Sequence, residues 1–176
     1  MFLACCWPPA CSIRSPPYPL KWDAEAIQWL QDNVQGAPVV AEAGSGLFNV
    51  PRYQWGSRIS INTGLPTIIG WDWHQKQQRS ILPGAVVDRR LQDVASLYRT
   101  VDQRAAQDIL DRYNVKYIVV GPLERAIYAL EGAHADVVAD PAYTPPGLAK
   151  FEQMAAEGAL KVVFQNEGTK IYEVIP

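Results

Sequence analysis

The stretch DQRAAQDILDRYNVKYIVVG, residues 102–121, decides the fold class of this chain. Asp102 is a residue type favoured as a helix N-cap, and the apolar residues after it recur at helical spacing. The next segment, VKYIVVG, is rich in β-branched residues and is bounded by glycine, as a buried strand is. A helix that leads directly into an apolar strand is typical of α/β domains. The apolar stripe of the helix consists of Ala105, Ala106, Ile109, Leu110 and Tyr113.

Four further helices are predicted around this unit. Residues 20–36 predict a helix, with Asp23 as its N-cap and Gly36 as the left-handed residue that closes it. A second helix is indicated by an apolar face that recurs every three or four residues. Its face consists of Val87, Leu91, Val94 and Tyr98. The segments LERAIYAL and LAKFEQMAAEG predict the remaining two, the latter ending on Gly158.

Strands are predicted between these helices. PVVAE, residues 38–42, reads as a short buried strand, and SRISIN, residues 57–62, alternates as a half-buried strand does. LKVVFQNEGTKIYEVI, residues 160–175, reads as two strands around a tight turn. The pattern predicts a single layered α/β domain over residues 21–176. We expect a mostly parallel, short-stranded sheet flanked by helices, with a C-terminal antiparallel hairpin.

The composition excludes several classes of protein. The chain has 176 residues, 48% of them hydrophobic, and a formal net charge of -2. This lacks the excess of basic residues that binding to a phosphate backbone needs, so we expect no nucleic-acid partner. No apolar run approaches the roughly 20 residues that a membrane-crossing helix requires. As given, the chain is therefore expected to be soluble on its own.

Residues 1–20 differ from the remainder of the sequence. They are rich in proline and hold all three cysteines, Cys5, Cys6 and Cys11. We expect a poorly ordered leader, because prolines disfavour helices and central strands. The cysteine spacing has no CxxC pair and no nearby histidine, so no metal site is expected. No cofactor-binding motif occurs either: GSGLFN lacks the third glycine of the dinucleotide fingerprint.

Three loops place polar residues where ligands collect in α/β proteins, beyond the carboxyl ends of strands. Glu42 follows the first predicted strand, residues 71–79 follow TIIG, and Glu124 follows YIVVGP. If these strands are neighbours, a polar crevice framed by Trp71 and Trp73 results. The alternative is a set of ion pairs that orders the loops. The crevice would contain Glu42, His74, Gln75, Glu124 and Arg125, and the ion pairs would join Glu42, Arg58, Arg79 and Glu124.

The aromatic segment TGLPTIIGWDWHQKQQR, residues 63–79, allows two interpretations. Aromatic rings with a carboxylate and an arginine suit sugar recognition, whereas the same tryptophans could pack in a core or an interface. His74 is available either as a general base or as a hydrogen-bonded structural residue. The segment is predicted to form a strand, a turn and a helix. Its candidate ligand-binding or docking residues are Thr63, Trp71, Trp73, His74 and Arg79.

Beyond these generic patterns, a longer series of strings resembles a known family. RISINTGLPTIIGWDWHQKQQR, DVASLYRT, ILDRYNVKYIVVGPLERAIY and GTKIYEV follow one another along the chain. Together they are similar to the C-terminal soluble region of large polytopic membrane proteins of the DUF2298 family, also called Chlor_Arch_YYY. The resemblance extends from Trp22 to the C-terminus. The chain departs from the family pattern at Gln75 and Gln78, where the pattern tends to have glutamate and tryptophan.

This resemblance implies a relation to the GT-C glycosyltransferases, which use lipid-linked sugar donors on the outer face of the membrane. Their catalytic residues lie in the membrane part, so the resemblance implies no catalytic residue here. It implies an extracytoplasmic accessory domain that assists acceptor or sugar recognition. The implied partners are the membrane-embedded helical region of a parent protein and a glycan or polyprenyl-phosphate sugar. The alternative is a free-standing α/β enzyme or ligand-binding protein that uses Glu42, His74 and Glu124.

Overall fold

The computed structural model describes residues 20–44, 56–78, 84–129, 140 and 142–176. The predicted leader lies outside these ranges, apart from Leu20. None of the helices within them is both long and apolar enough to cross a membrane. In chain order the elements are α1 Leu20–Asn33, β1 Val39–Ala41, α2 Arg58–Thr63, α3 Asp72–Gln78, α4 Gly84–Arg99, α5 Gln103–Arg112, β2 Val115–Val120, α6 Pro122–Ile127, α7 Pro146–Ala156, β3 Leu160–Gln165 and β4 Lys170–Val174.

The four strands form one sheet in the order β1-β2-β4-β3. Strand β1 runs parallel to β2, and β4 pairs antiparallel with both β2 and β3. The α/β class and the C-terminal hairpin are therefore confirmed. The parallel part is smaller than expected, because the segment TIIG adds only an isolated parallel bridge, from Thr67 to Val40. The hairpin contributes the other two strands.

Helices cover both faces of the sheet. Successive side chains of a strand point to opposite faces, so Val119 joins one hydrophobic cluster while its neighbour Ile118 joins the other. The smaller cluster includes Leu30 of α1 and Ile59 of α2. The larger cluster contains residues of α4, α5 and α7, among them Phe151. The result is a helix–sheet–helix sandwich in which the ends of the central strands lie under helices and loops.

The helix and the strand predicted within residues 102–121 form as α5 and β2. The Asp102 carboxylate accepts hydrogen bonds from the backbone N–H groups of Arg104 and Ala105, at 2.8 and 3.2 Å, and so caps α5. Ala106, Ile109 and Leu110 of its stripe are buried. Strand β2 follows after a single turn. This local order is set by the capping residue and the helical periodicity together.

The predicted strand SRISIN is wrong, because these residues form the short helix α2. Glu42 causes the difference: its carboxylate accepts hydrogen bonds from the backbone N–H groups of Ile59 and Ser60, at 2.7 and 2.9 Å. These N–H groups belong to the first turn of a helix, which has no internal partner for them. Gly64, in the left-handed region at φ 75°, ends the helix. A carboxylate distant in sequence thus overrides the local alternation.

The start of α1 is also corrected. The helix begins at Leu20, so Asp23 lies inside its first turn and is not the N-cap. The Asp23 side chain is buried and turned towards Arg58. Gly36 has the predicted positive φ, 77°, but the helix ends at Asn33, three residues before it. An acidic residue near a helix start suits either role, and only the position of Arg58 decides between them.

Candidate functional site

The carboxyl ends of β1 and β2 lie side by side, as the crevice hypothesis required, and charged side chains meet there in the interior. Arg58 donates hydrogen bonds from Nη1 and Nη2 to the two oxygens of Glu124, at 3.0 and 2.8 Å. Its Nε donates to Asp23 at 2.5 Å. All three residues are buried. We call Asp23, Arg58 and Glu124 the buried ion cluster; it confirms the ion-pair alternative for Arg58 and Glu124.

Glu124 links the two strand ends through the backbone as well. It lies in the first turn of α6, after Pro122. One carboxylate oxygen accepts from the N–H of Gly121 at 2.9 Å, and the other accepts from the N–H of Ala43 at 2.8 Å. Gly121 directly follows β2, and Ala43 lies just past β1. With the two bonds from Arg58, each oxygen of Glu124 accepts two hydrogen bonds, so the side chain is fully occupied.

Electrostatics keep Glu124 and Arg58 ionised at neutral pH. Burial by itself raises the pKa of the Glu124 carboxyl, but the Arg58 charge and the hydrogen bonds outweigh it and hold that pKa below its ordinary value. Burial likewise opposes the charge on Arg58, and Glu124 and Asp23 together raise the pKa of the guanidinium well above its usual range. A buried ion pair with satisfied hydrogen bonds is costly to break, because either partner alone would be an uncompensated charge.

Glu42, near the cluster, is a buried carboxyl whose pKa is raised above its ordinary value. Its side chain is fully buried at the N-terminus of α2. Burial raises the pKa of Glu42 to about 6, and the nearby Arg58 charge and the backbone bonds from Ile59 and Ser60 only partly offset this effect. Glu42 therefore titrates just below neutral pH. Its hydrogen bonds serve the backbone of α2 directly.

The buried ion cluster packs against the backbone of Gly121. A Cβ atom at this position would lie 2.7 Å from Oδ1 of Asp23 and 2.9 Å from Nη2 of Arg58. Thr169 joins from the hairpin turn, its hydroxyl donating to Asp23 at 3.1 Å. The cluster therefore connects α1, α2, the end of β2 and the hairpin. It occupies the place where α/β proteins commonly bind ligands.

Arg125, the neighbour of Glu124, diverges from the cluster. Its Nη2 donates to the carbonyl oxygen of Gly168 at 2.7 Å, on the hairpin turn.

Among the described residues, no group of three His, Cys, Asp or Glu side chains is placed to hold a metal ion. The cysteines of the leader and His134 lie outside the described ranges.

The tryptophan segment, which we define as Trp71, Trp73 and His74, lies at the start of α3. The rings of Trp71 and His74 are 5.4 Å apart between centroids, and Trp71 donates from Nε1 to the carbonyl oxygen of Gly56 at 3.3 Å. Trp73 is 44% exposed, which is unusual for so large an apolar side chain. The segment therefore combines an anchored indole with an outward one.

The other predicted residues of this region are dispersed. Gln75 is half-buried on α3, whereas Thr63 belongs to α2 and donates its hydroxyl to the carbonyl oxygen of Ile59 at 2.7 Å. Arg79 lies outside the described residues. The expected strand, turn and helix over residues 63–79 is reduced to the end of α2, the bridge at Thr67 and the helix α3.

Two buried polar residues were missed in the sequence. The sequence predicts Asp23 as a helix cap, and it places Lys150 in the predicted helix LAKFEQMAAEG without marking it as buried. Lys150 is 1% exposed and donates to the carbonyl oxygens of Leu97 and Gly147, at 2.5 and 2.6 Å. Burial lowers the pKa of Lys150 to about 7. The available signal was its spacing: Lys150 lies four residues before the buried Met154, on the apolar face of α7.

The fold and the site define a layered α/β domain with an internal charge cluster and a surface tryptophan segment. No protein-family model and no curated protein match the chain, so the DUF2298 resemblance is not confirmed. Among solved structures, the chain is similar to a C-terminal globular domain of an oligosaccharyltransferase from Archaeoglobus fulgidus, with a TM-score of 0.46 and 14% identity over 86% of this chain and 96% of that chain. A second such domain from the same organism gives a TM-score of 0.39 and 15% identity, covering 86% and 94%. Values this low establish neither a family nor a function.

Proposed function

We propose that the chain is a non-catalytic accessory domain of a GT-C-related polytopic membrane protein, positioned on the extracytoplasmic face. Its tryptophan segment docks on the membrane-embedded helical region of that protein or contacts a glycan or polyprenyl-phosphate sugar. The proposal starts from the sequence resemblance, which extends from Trp22 to the C-terminus. The single observation that carries it further is that the carboxylates at the strand ends are enclosed and occupied as structural groups.

A catalytic acid or base must reach its substrate. Glu42 and Glu124 are both 0% exposed, and within the described residues they accept hydrogen bonds from Arg58, from backbone N–H groups and, at Glu42, from the Ser60 side chain. A crevice enzyme built on these two carboxylates and His74 would first have to open the interior. The accessory role needs no such rearrangement, so we favour it over the free-standing enzyme.

The tryptophan segment is the surface that suits such a role. An exposed indole costs solvation free energy in isolation, and tryptophan is enriched at the buried centres of interfaces. Trp73 follows two residues after Trp71, whose indole is anchored to Gly56, so part of the tryptophan segment is already ordered before a partner docks. Preorganisation lowers the entropic cost of docking.

The first test is to read the genomic sequence upstream of Met1. We expect the reading frame upstream of Met1 to continue through many apolar spans, and a stop codon next to a ribosome-binding site would contradict the proposal.

The second test is enzymatic and uses the membrane protein that this gene encodes. Replacing Trp73 by alanine should lower sugar transfer from a lipid-linked donor at least fivefold.

The control for this test is Val101→Ala, which truncates a side chain that is 66% exposed on another part of the surface. Both variants should leave the melting temperature of the 176-residue chain unchanged, because both side chains are at the surface. Transfer at the wild-type rate in the Trp73 variant would exclude the tryptophan segment as the contact. Turnover by the 176-residue chain alone would exclude the accessory role.

A further inference from the structure

A second candidate site lies beside Arg125, at the turn between β3 and β4. A pocket of about 300 Å³ opens there between α7 and strands β3 and β4. Its lining is mainly polar and includes Arg125, Thr144, Glu152, Gln165, Glu167 and Lys170. This volume is at the lower end of small-molecule sites and suits one sugar or one amino acid. The pocket shares no residue with the tryptophan segment and does not depend on the proposed function.

Arg125 carries a buried charge with few partners. Arg125 is only 6% exposed. Within the described residues, however, its guanidinium donates only one hydrogen bond, from Nη2 to the carbonyl oxygen of Gly168. Its Nε finds no acceptor within the described part of the chain. A guanidinium has five N–H donors, and leaving the Nε donor unpaired in the interior is costly. Burial accordingly lowers the pKa of Arg125.

The carboxylates nearest to the pocket already have partners. Glu124 is fully occupied by Arg58 and by backbone N–H groups. Glu152 accepts from Nζ of Lys170 and from the hydroxyl of Tyr172, each at 2.5 Å. Asp140 and Glu167 are exposed, so water and salt screen their charges. A carboxylate that enters the pocket therefore meets an incompletely paired cation in Arg125 and a Glu152 already neutralised by Lys170.

The remaining lining groups suit hydroxyls. Within the described residues, the side chains of Thr144, Gln165 and Glu167 form no hydrogen bond, so Thr144 and Gln165 are available as donors and acceptors and Glu167 is available as an acceptor. A sugar ring presents such hydroxyls on every edge. A phosphate dianion is disfavoured, because Glu167 would repel its second negative charge and Lys170 is already paired with Glu152.

We propose that this pocket binds a carboxylate-bearing sugar of the size of one hexuronate, with the carboxylate on Arg125. The planar guanidinium matches a carboxylate through two parallel hydrogen bonds, a geometry that lysine cannot reproduce. The hydroxyls of the ring then contact Thr144, Gln165 and Glu167 at the rim.

The test is calorimetric titration of the full 176-residue chain with sodium glucuronate, glucose and N-acetylaspartate. We expect saturable binding of glucuronate, with glucose and N-acetylaspartate at least tenfold weaker. The variant Arg125→Lys keeps the charge and should weaken glucuronate at least tenfold. The control is Lys21→Gln, since Lys21 is a surface cation with 80% of its side chain exposed; it should bind as the wild type does.

Four results would overturn the proposal: no saturable binding of glucuronate, glucose binding as tightly, N-acetylaspartate binding as tightly, or an unchanged affinity in Arg125→Lys. If Arg125→Lys does not fold, Gln165→Ala and Thr144→Val replace it, because their side chains make no bond within the described residues. Each should weaken glucuronate at least threefold while the melting temperature stays the same. Unchanged affinity in both would also refute the proposal.

Discussion

Replacing Glu124 by glutamine should destabilise the domain strongly. Glutamine keeps one acceptor oxygen and puts an NH₂ group where the other was. One oxygen of Glu124 accepts from Ala43 and Nη1 of Arg58, and the other accepts from Gly121 and Nη2 of Arg58. Whichever way the amide is turned, two of the four hydrogen bonds become contacts between donors. Hydrogen bonds to charged groups contribute about 1.5–3 kcal/mol each, and breaking a buried ion pair costs about 3–5 kcal/mol.

We therefore expect Glu124→Gln to lower the free energy of unfolding by about 3–5 kcal/mol, a large part of the 5–15 kcal/mol that is typical of a domain. The measurement is urea unfolding at pH 7, followed by tryptophan fluorescence and circular dichroism. The matched control is Lys21→Gln, which removes an exposed charge paired with Glu25 at 3.8 Å and should change stability by less than about 0.5 kcal/mol. If the Glu124 variant lost no more than about 1 kcal/mol, the buried ion cluster would not be what stabilises the strand ends.

Three further predictions concern the same interior. The first follows from the Glu42 pKa, which burial raises from 4.5 to about 6. A raised folded-state pKa means that Glu42 contributes stability below the unfolded pKa and loses it as pH rises through about 6. The free energy of unfolding of the wild type, relative to that of Glu42→Gln, should therefore fall by about 2 kcal/mol between pH 4 and pH 7. Urea unfolding measures both proteins across this range. A difference that does not change with pH would contradict the raised pKa of Glu42. Second, Gly121→Ala should destabilise the chain by more than about 2 kcal/mol, because the new Cβ would lie 2.7 Å from Oδ1 of Asp23. The control is Gly84→Ala, since a Cβ at Gly84 meets no atom within 4 Å. Equal melting temperatures of the two variants would exclude the close approach at Gly121. Third, burial lowers the pKa of Lys150 from 10.5 to about 7, so the unfolded chain binds more protons between those values and stability should rise with pH across that window. Lys150→Met should remove this rise, and an identical pH profile of unfolding in both proteins would count against a depressed pKa.

The local elements were predictable where short-range physics decides them. Asp102 caps α5 through its own side chain, and the apolar stripe after it selects one helical face. The hairpin between β3 and β4 follows from two alternating strands and a short turn. These features depend on residues a few positions apart, so the sequence displays their causes together.

Predictions failed where a distant side chain decided the local structure. SRISIN alternates like a strand, yet Glu42 supplies acceptors for two backbone N–H groups and makes it a helix. Asp23 resembles a cap, yet Arg58 draws its carboxylate into the interior. The free energy of a charge-assisted hydrogen bond in a buried site exceeds the differences in local propensity, so tertiary contacts prevailed.

The amino-acid sequence alone determined the α/β class, the order of most helices and strands, and the neighbourhood of Glu42 and Glu124 at the strand ends. The tertiary structure decided that these carboxylates are enclosed, that Arg58 joins Glu124 to Asp23, and that Trp73 lies at the surface. The physical reason is that burial and charge pairing are properties of residues brought together from distant parts of the chain. Asp23 and Glu124 are separated by a hundred residues of sequence, and only the packing of α1 and α2 on the sheet places both beside one guanidinium.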